Sequence, residues 1–128
     1  MAIDIAWDNE AQTVIRVDFV SKWDWNDYHE MVKFAAQMMN EVGHTVDLIY
    51  NLQQSAPISA GAITHAATTM RLLDGRMGLM MVVSNAGYIK ALLSTFQLVY
   101  KNWSDRVIGA ASVEDARTYI TRNAGKGG

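Results

Sequence analysis

The stretch TVDLIYNLQQSAPISAGAITHA, residues 45–66, joins the most strand-like run of the chain to a polar loop and a helix start. The apolar residues of the strand-like run are Val46, Leu48, Ile49 and Leu52. In α/β proteins, a buried strand that leads through a loop to a helix N-terminus carries ligand-facing groups. The segment that follows this strand is therefore the candidate functional region.

The loop is predicted to begin directly after Leu52, because the polar residues 53–55 end the apolar run. Since Pro57 is acceptable only in the first turn of a helix, we expect the second helix to begin between Ser55 and Ser59. A serine at such a place is first of all a helix cap, and it can also meet an anion. The candidate contact residues are Gln53, Gln54, Ser55, Pro57, Ser59 and Gly61.

The residues before this stretch predict a hairpin and a long helix. Ile3–Trp7 and Thr13–Val20 alternate apolar and polar residues on either side of a polar break, which is typical of antiparallel strands at one end of a sheet. Asp24 is a good N-cap, and Asp27 places a second carboxylate in the first helical turn. Gly43 is expected to end this helix as a left-handed C-cap.

The residues after the second helix predict two further pairs of strand and helix. Gly78–Ser84 is a near-continuous apolar run, typical of a central strand, and Ser84-Asn85 supplies capping side chains for the third helix. Val107–Ala111 predicts a last short strand. Ser112, with Asp115 three residues later, is expected to cap the last helix.

This order of elements predicts the fold class. Helices that follow single strands imply parallel crossovers, which are right-handed almost without exception. We therefore predict an α/β fold whose single-layer mixed sheet of about five strands has an N-terminal antiparallel hairpin followed by β-α units, with four helices. Residues 1–121 are predicted to form a single domain, and residues 122–128, which lack an apolar anchor, a flexible tail.

Composition excludes several classes of partner and compartment. The chain has 128 residues, of which 50% are hydrophobic and 19% charged, as expected for a globular domain rather than a disordered one. A formal net charge of -2 gives no electrostatic reason to expect nucleic acid or an anionic membrane as partner. The chain has no cysteine and no transmembrane segment, so we expect a cytoplasmic location.

Candidate catalytic and metal-binding groups are few. His29, His44 and His65 are far apart in the sequence and lack the spacing of a metal-binding signature, so neither a metal site nor a cofactor is predicted. We interpret Asp47 as a strand carboxylate bonded to backbone rather than as a general base. No nucleophile, base and orienting group occur together, and no catalytic residue is predicted.

The methionines and tryptophans have two interpretations each. Met38-Met39 and Met80-Met81 could line an adaptable binding groove, but their spacing favours core filling. Trp23 and Trp25 flank the start of the first helix, and Trp103 lies in a polar break. If exposed, these rings would mark a contact surface; anchoring of loops is the favoured interpretation.

Four short motifs lie along the chain: WDW-x-x-Y at the first helix, the VDLIY strand, P-x-S-x-G before the second helix and S-x-E-D-A at the last. Together with the order of elements, they resemble the SpoIIAA-like group of the STAS and CRAL-TRIO-related folds, which includes bacterial regulators. The resemblance covers nearly all of residues 3–120. The resemblance implies a sheet wound from consecutive β-α units.

The resemblance also bears on the candidate region. STAS proteins that act as anti-anti-sigma factors carry a D-S-S-G motif before the second helix, and a partner kinase phosphorylates its second serine. The nearest match here is residues 58–61, in which Ile58 replaces the aspartate and Ala60 replaces the phosphoacceptor, while Ser59 matches the preceding serine. The phosphorylated residue of the family therefore has no counterpart in this chain.

Two functional hypotheses follow. The first is a non-enzymatic STAS-like regulatory or protein-interaction module, whose contact surface is the loop after the central strand and the start of the second helix, with a protein or a small anionic ligand as partner. The second is a carrier of a small molecule or lipid in an apolar pocket between sheet and helices, as the CRAL-TRIO resemblance implies. An enzyme is a third hypothesis with less support, and a homodimer is compatible with all three.

Overall fold

The computed structural model describes residues 2–123, which form one mixed sheet with helices on both of its faces. The strands lie in the order β1-β2-β3-β4-β5. Their bounds are β1 Ile3–Trp7, β2 Val14–Ser21, β3 Val46–Ser55, β4 Met77–Val83 and β5 Val107–Ala110. The helices are α1 Trp25–Asn40, α2 Ala62–Leu73, α3 Gly87–Val99 and α4 Val113–Asn123, with a short 3-10 turn at Lys101–Trp103.

The sheet confirms the predicted fold class. Strands β1 and β2 pair antiparallel, with Ile3 opposite Phe19 and Trp7 opposite Ile15, and every later pair of neighbouring strands is parallel. Asn9 stabilises the hairpin connection, because its side-chain oxygen accepts a hydrogen bond from the Thr13 amide at 3.0 Å. The hairpin therefore forms one edge of the sheet, β5 forms the other, and β3 is the central strand.

The two faces of the sheet are covered unequally. Because sequential parallel neighbours are joined by crossovers of one hand, α1, α2 and α3 all pack on the same face. Helix α4 follows the last strand and covers the opposite face, where Ala116 and Ile120 contact Ile49, Met81 and Val83. The central strands are thus shielded on both sides, and all four residues of the two methionine pairs are buried, which confirms core filling.

The predicted end of β3 is wrong. The strand continues through Gln53 and Gln54 to Ser55, so these three residues are not in a loop. Pairing with β2 explains the extension, since Ser55 lies opposite Ser21 and the next amide, on Ala56, donates to the Ser21 carbonyl at 2.8 Å. Backbone pairing with a long neighbour outweighs the polar side chains, most of which point to solvent.

The predicted start of the second helix is also wrong. Helix α2 begins at Ala62, so Pro57 and Ser59 belong to an irregular segment before the helix rather than to its first turn. Gly61 occupies the N-cap position with φ +99°, a left-handed conformation that glycine adopts without steric cost. The proline ring fixes φ at a value that suits extended and turn segments as well as the first turn of a helix. Pro57 therefore does not by itself mark where the helix begins.

Helix caps were predicted with mixed success. The Asp24 side chain accepts from the Asp27 amide, and the Asp27 side chain accepts from the Asp24 amide, a complete capping box. Ser112 caps α4 in the same way, accepting from the Asp115 amide at 3.0 Å. Gly43 is not a left-handed cap, because α1 ends at Asn40 and Gly43 has no positive φ.

Two further corrections concern the ends of α3 and α4. The N-cap of α3 is Ala86, which makes no side-chain capping bond, so Ser84-Asn85 does not cap this helix as predicted. Helix α4 continues through Arg122 and Asn123, two residues into the predicted tail. The rest of that tail, residues 124–128, lies outside the described residues, and the single domain over residues 1–121 stays a prediction.

Candidate functional site

A groove runs along the edge of the sheet where the parallel strands β3 and β4 end. We call it the carboxyl-edge groove; it has a volume of about 400 Å³ and lies between the segment that leads to α2 and the first turn of α3. Such an edge is where open α/β sheets bind ligands. The lining residues are Leu52, Gln53, Ser55, Pro57, Ile58, Ser84, Asn85, Ala86, Tyr88 and Ile89.

The groove brings together half of the candidate contact residues. Gln53, Ser55 and Pro57 line it, whereas Gln54, Ser59 and Gly61 do not. Gln54 is an exposed strand residue, and Ser59 and Gly61 are exposed between Pro57 and the start of α2. Sequence reasoning missed the opposite wall, because residues 84–89 follow a different strand and only the sheet order brings them beside β3.

The polar groups of the first wall are already paired. The Ser55 hydroxyl accepts from the Trp23 indole N–H at 2.8 Å and donates to the Ala56 carbonyl at 2.7 Å. The Gln53 side-chain amide donates to the Ala111 carbonyl at 3.2 Å. Ser55 therefore fixes a loop and is not a free nucleophile, whereas the Gln53 side-chain oxygen keeps accepting capacity.

The second wall is the N-terminus of α3. Tyr88 reaches across the groove, where its hydroxyl accepts from the Ile58 amide at 3.2 Å. The Ser84 hydroxyl accepts from the Ala86 amide at 3.1 Å, just before the helix. Since Ala86 cannot cap, the first turn of α3 presents backbone N–H groups without a side-chain partner, together with the positive end of the helix dipole.

An apolar cleft lies behind the groove, between the sheet and helices α1, α2 and α3. Its volume is about 110 Å³, and the surface that lines it is almost entirely apolar. Leu52, Ile58 and Ile89 line both spaces, so the cleft adjoins the groove. The other lining residues are Phe19, Trp23, Trp25, Tyr28, Tyr50, Ala62, Ile63, Ala66, Met80, Val82, Leu92, Leu93, Phe96 and Val107.

An aromatic cluster forms one end of the cleft. The Phe19 ring centroid lies 5.0 Å from that of Trp23 and 5.2 Å from that of Tyr50. Trp25 meets Trp23 edge-on at 5.1 Å, and its indole N–H donates to the Ala60 carbonyl at 3.0 Å. Trp23 thus ties the loop before α1 to Ser55 at the end of β3, and Trp25 holds the segment between β3 and α2, as expected of loop anchors.

Beneath this cluster, buried hydroxyl groups form a directed chain. The Thr69 hydroxyl donates to the His65 carbonyl at 3.0 Å, so it accepts from Tyr28, whose hydroxyl is 2.7 Å away. The Tyr28 oxygen then accepts from Tyr50 at 3.2 Å. Burial raises the pKa of Tyr28 and raises that of Tyr50 well above its usual value, so both phenols stay protonated.

Two of the three histidines, although far apart in the sequence, meet in the structure. The Nε2 atom of His29 on α1 is 2.7 Å from the Nδ1 atom of His65 on α2. Burial, and secondly the charge of His29, lower the pKa of His65. His44 is separate and bonds to the Gln12 carbonyl at 2.8 Å. The pair joins helices 36 positions apart, which no local spacing reveals.

Asp47 bonds to backbone, as its interpretation from the sequence requires. Its Oδ1 atom accepts from the Leu79 amide at 2.8 Å, and burial raises the pKa of its carboxyl group. Asp47 lies near the start of β3, at the sheet edge opposite the groove. A Cβ atom on Gly78 would lie 2.3 Å from this oxygen, so the carboxylate fills the space that the glycine leaves.

The described part of the chain contains neither a larger metal-binding cluster nor a membrane-spanning helix. Residues 2–123 contain no cluster of three or more His, Asp or Glu side chains arranged to hold a metal ion. Within the same residues, no helix combines the length and hydrophobicity that crossing a bilayer requires.

Comparison with known proteins identifies the fold. No protein-family model matches the chain, and no curated protein sequence matches it. A solved structure of the anti-sigma factor antagonist SpoIIAA, in its unphosphorylated form, matches 94% of this chain and 97% of its own, with a TM-score of 0.66. The chain has the SpoIIAA fold. The two sequences are 9% identical, so the likeness to SpoIIAA concerns the fold alone.

Proposed function

We propose that this protein is a non-enzymatic regulatory or protein-interaction module built on the SpoIIAA fold, and that the carboxyl-edge groove is its contact surface. The observation that carries the proposal is the groove itself, about 400 Å³ at the ends of two adjacent parallel strands. Gln53 and Pro57 lie on one wall and the uncapped first turn of α3 on the other.

The chemistry of the lining favours recognition over catalysis. The residues that line the groove include no Asp, Glu, His, Lys or Arg in the described part of the chain, and the Ser55 hydroxyl is engaged on both sides. A partner would therefore be held by hydrogen bonds to backbone and amide groups and by contact with Leu52, Ile58 and Ile89. The N-terminus of α3 suits a carboxylate or another anionic group of that partner.

Location and assembly belong to the same proposal. The SpoIIAA fold and the cysteine-free sequence support a cytoplasmic regulatory module of bacterial type. Self-association through the edge strands β1 and β5 would leave the groove free, since the groove lies at the ends of β3 and β4.

Site-specific crosslinking tests the contact surface. A photoreactive p-benzoylphenylalanine replaces the exposed Asn85 beside the groove, and in a matched protein it replaces the exposed Glu41 after α1, at the opposite edge of the sheet. After illumination in the native cells, we expect a discrete adduct from position 85 and none from position 41. Equal adducts from both positions, or none from position 85, would remove the groove as the contact surface.

A second candidate function is a carrier of a small apolar molecule, and the apolar cleft is the observation that favours it. The cleft, at about 110 Å³, approaches the roughly 150 Å³ of engineered apolar cavities that bind benzene. Its lining offers few hydrogen-bonding groups, because the Tyr28 hydroxyl bonds to both Thr69 and Tyr50, and the Tyr50 hydroxyl uses its proton on Tyr28. The bound part of a ligand would be a single ring or a short hydrocarbon chain, with any polar end in the groove.

Filling the cleft tests this candidate, with benzene as the probe. Ala66 lines the cleft from α2, whereas Ala91 is exposed on α3. We expect benzene to shift the indole N–H resonances of Trp23 and Trp25 saturably in the original protein and in Ala91→Phe, and not in Ala66→Phe. A response that is linear, or equally saturable in all three proteins, would exclude the cleft as a ligand site.

A further inference from the structure

We propose that His29 and His65 form a two-histidine binding site for a divalent transition-metal ion of the Cu²⁺, Ni²⁺ and Zn²⁺ class, with water molecules as the remaining ligands. The ion would join His29 on α1 to His65 on α2. This site does not depend on the function proposed for the groove. Its basis is the approach of the two ring nitrogens and the fixed position of one of the rings.

The distance between the nitrogens suits a shared ion after a small adjustment. The His29 Nε2 and His65 Nδ1 atoms are 2.7 Å apart, joined by a hydrogen bond. Two metal–nitrogen bonds of about 2.0–2.1 Å place the nitrogens about 2.8–3.0 Å apart at a right angle and about 3.3–3.4 Å apart at a tetrahedral angle. The two rings must therefore separate by a few tenths of an ångström. They must also turn about their side-chain bonds, so that both lone pairs point at the ion instead of at each other.

The proton balance of this exchange is simple. In the neutral pair one ring carries the N–H of the hydrogen bond and the other accepts it with a lone pair. For both nitrogens to bind an ion, the donating ring moves that proton through solvent to its other nitrogen. Both imidazoles remain neutral, the metal replaces the hydrogen bond, and no oxidation or reduction takes place.

The His65 ring is held in place before any ion binds. It stacks on the Trp25 indole, with centroids 4.2 Å apart and planes inclined by 14°. Trp25 is itself fixed by the bond from its N–H to the Ala60 carbonyl, and the His65 amide donates to the Gly61 carbonyl at 3.0 Å. An ion would therefore have to order mainly His29, which lowers the entropic cost of binding.

The chemistry of the donors selects the class of metal. Imidazole nitrogens suit Zn²⁺, Cu²⁺ and Ni²⁺, whereas Mg²⁺ and Ca²⁺ prefer oxygen ligands. No third His, Asp or Glu joins the pair within residues 2–123, so water would complete the coordination. We expect Cu²⁺ to bind most tightly, because divalent ions at such sites generally bind in that order of affinity.

Titration of the untagged protein with Cu²⁺ tests the proposal, because the ion would lie next to the His65 ring that stacks on Trp25 and would quench its fluorescence. We expect saturable quenching at one equivalent, reversed by EDTA. His29→Gln and His65→Gln should each weaken binding by more than about tenfold, since loss of one of two ligands should cost at least as much as loss of a second-shell group. His44→Gln, which alters a separate histidine, should bind as the original protein does.

A second measurement separates metal binding from folding. Zn²⁺ should raise the melting temperature of the original protein and of His44→Gln, and leave those of the His29 and His65 variants unchanged, whatever their starting stability. Equal Cu²⁺ affinity in His29→Gln and the original protein would overturn the proposal, as would loss of binding in His44→Gln. Adducts at position 85 in the crosslinking experiment would be unaffected by either result.

Discussion

Replacing Phe19 by alanine is expected to lower the free energy of unfolding by about 3–5 kcal/mol, the usual cost of removing a buried phenylalanine ring. Phe19 lies on β2, is 1% exposed, and contacts the rings of Trp23 and Tyr50. Its removal loses the transfer free energy of the ring together with three aromatic contacts, the third being to Tyr28. Urea denaturation, followed by circular dichroism, measures the change.

The matched control is Phe34→Ala, which makes the same chemical change on the outer side of α1. Phe34 is 52% exposed, so we expect a change within about 0.5 kcal/mol. Similar costs for the two variants would mean that Phe19 is not in the core. Because Phe19 also lines the apolar cleft, its removal enlarges that space, and benzene should restore part of the lost stability by binding only the folded state.

Local signals predicted much of this fold. The capping box of Asp24 and Asp27 and the cap of Ser112 depend on residues three positions apart, so the sequence itself contains both partners. The hairpin of β1 and β2 follows from two alternating runs around one polar break, and the order of elements predicted the parallel strands. The caps and the hairpin could be predicted because each is decided within a few residues. The fold class could be predicted because the elements follow one another in a simple order.

The course of the chain after Leu52 depends on a neighbour rather than on its own residues. The side chains of residues 53–55 are polar, yet their backbone continues the ladder with β2. Pro57 then lies in an irregular segment, and α2 begins later than predicted, after the left-handed Gly61. At a strand end, the intrinsic preference of the residues is weak compared with backbone pairing to an adjacent long strand. Because the strand extends and α2 begins at Ala62, Ser59 does not lie in the helix as predicted.

The candidate site shows the same limit more strongly. One wall of the groove was predicted as the segment after the central strand, and Gln53, Ser55 and Pro57 do line it. The other wall comes from residues 84–89, and the histidine pair joins two different helices. Neither contact has a signal in the spacing along one sequence, because each depends on which elements become neighbours in the sheet and the helix layer.

Asp8→Asn is expected to lower the free energy of unfolding by about 1.5–3 kcal/mol, the range for hydrogen bonds to charged groups. Asp8 fixes the position of α4 through a contact with Arg117, 109 positions along the chain. The Arg117 guanidinium donates to both oxygens of the Asp8 carboxylate, at 2.9 and 2.7 Å, and Arg16 lies 3.6 Å away. The Asp8 side chain is 7% exposed. Its bonds raise the pKa of Arg117 still further, so the guanidinium keeps its charge.

Glu114→Gln is the matched control, since Glu114 also bonds to Arg117 but its side chain is 79% exposed. We expect this change to cost less than about 1 kcal/mol, and most of that to disappear in 1 M salt, as for other exposed pairs. The Asp8 effect should persist in salt, because the carboxylate is shielded from solvent, and amide hydrogen exchange should speed up across α4. Equal, salt-sensitive losses in the two variants would show that Asp8 behaves as a surface charge, and that α4 is held on its face of the sheet by apolar contacts of Ala116 and Ile120 alone.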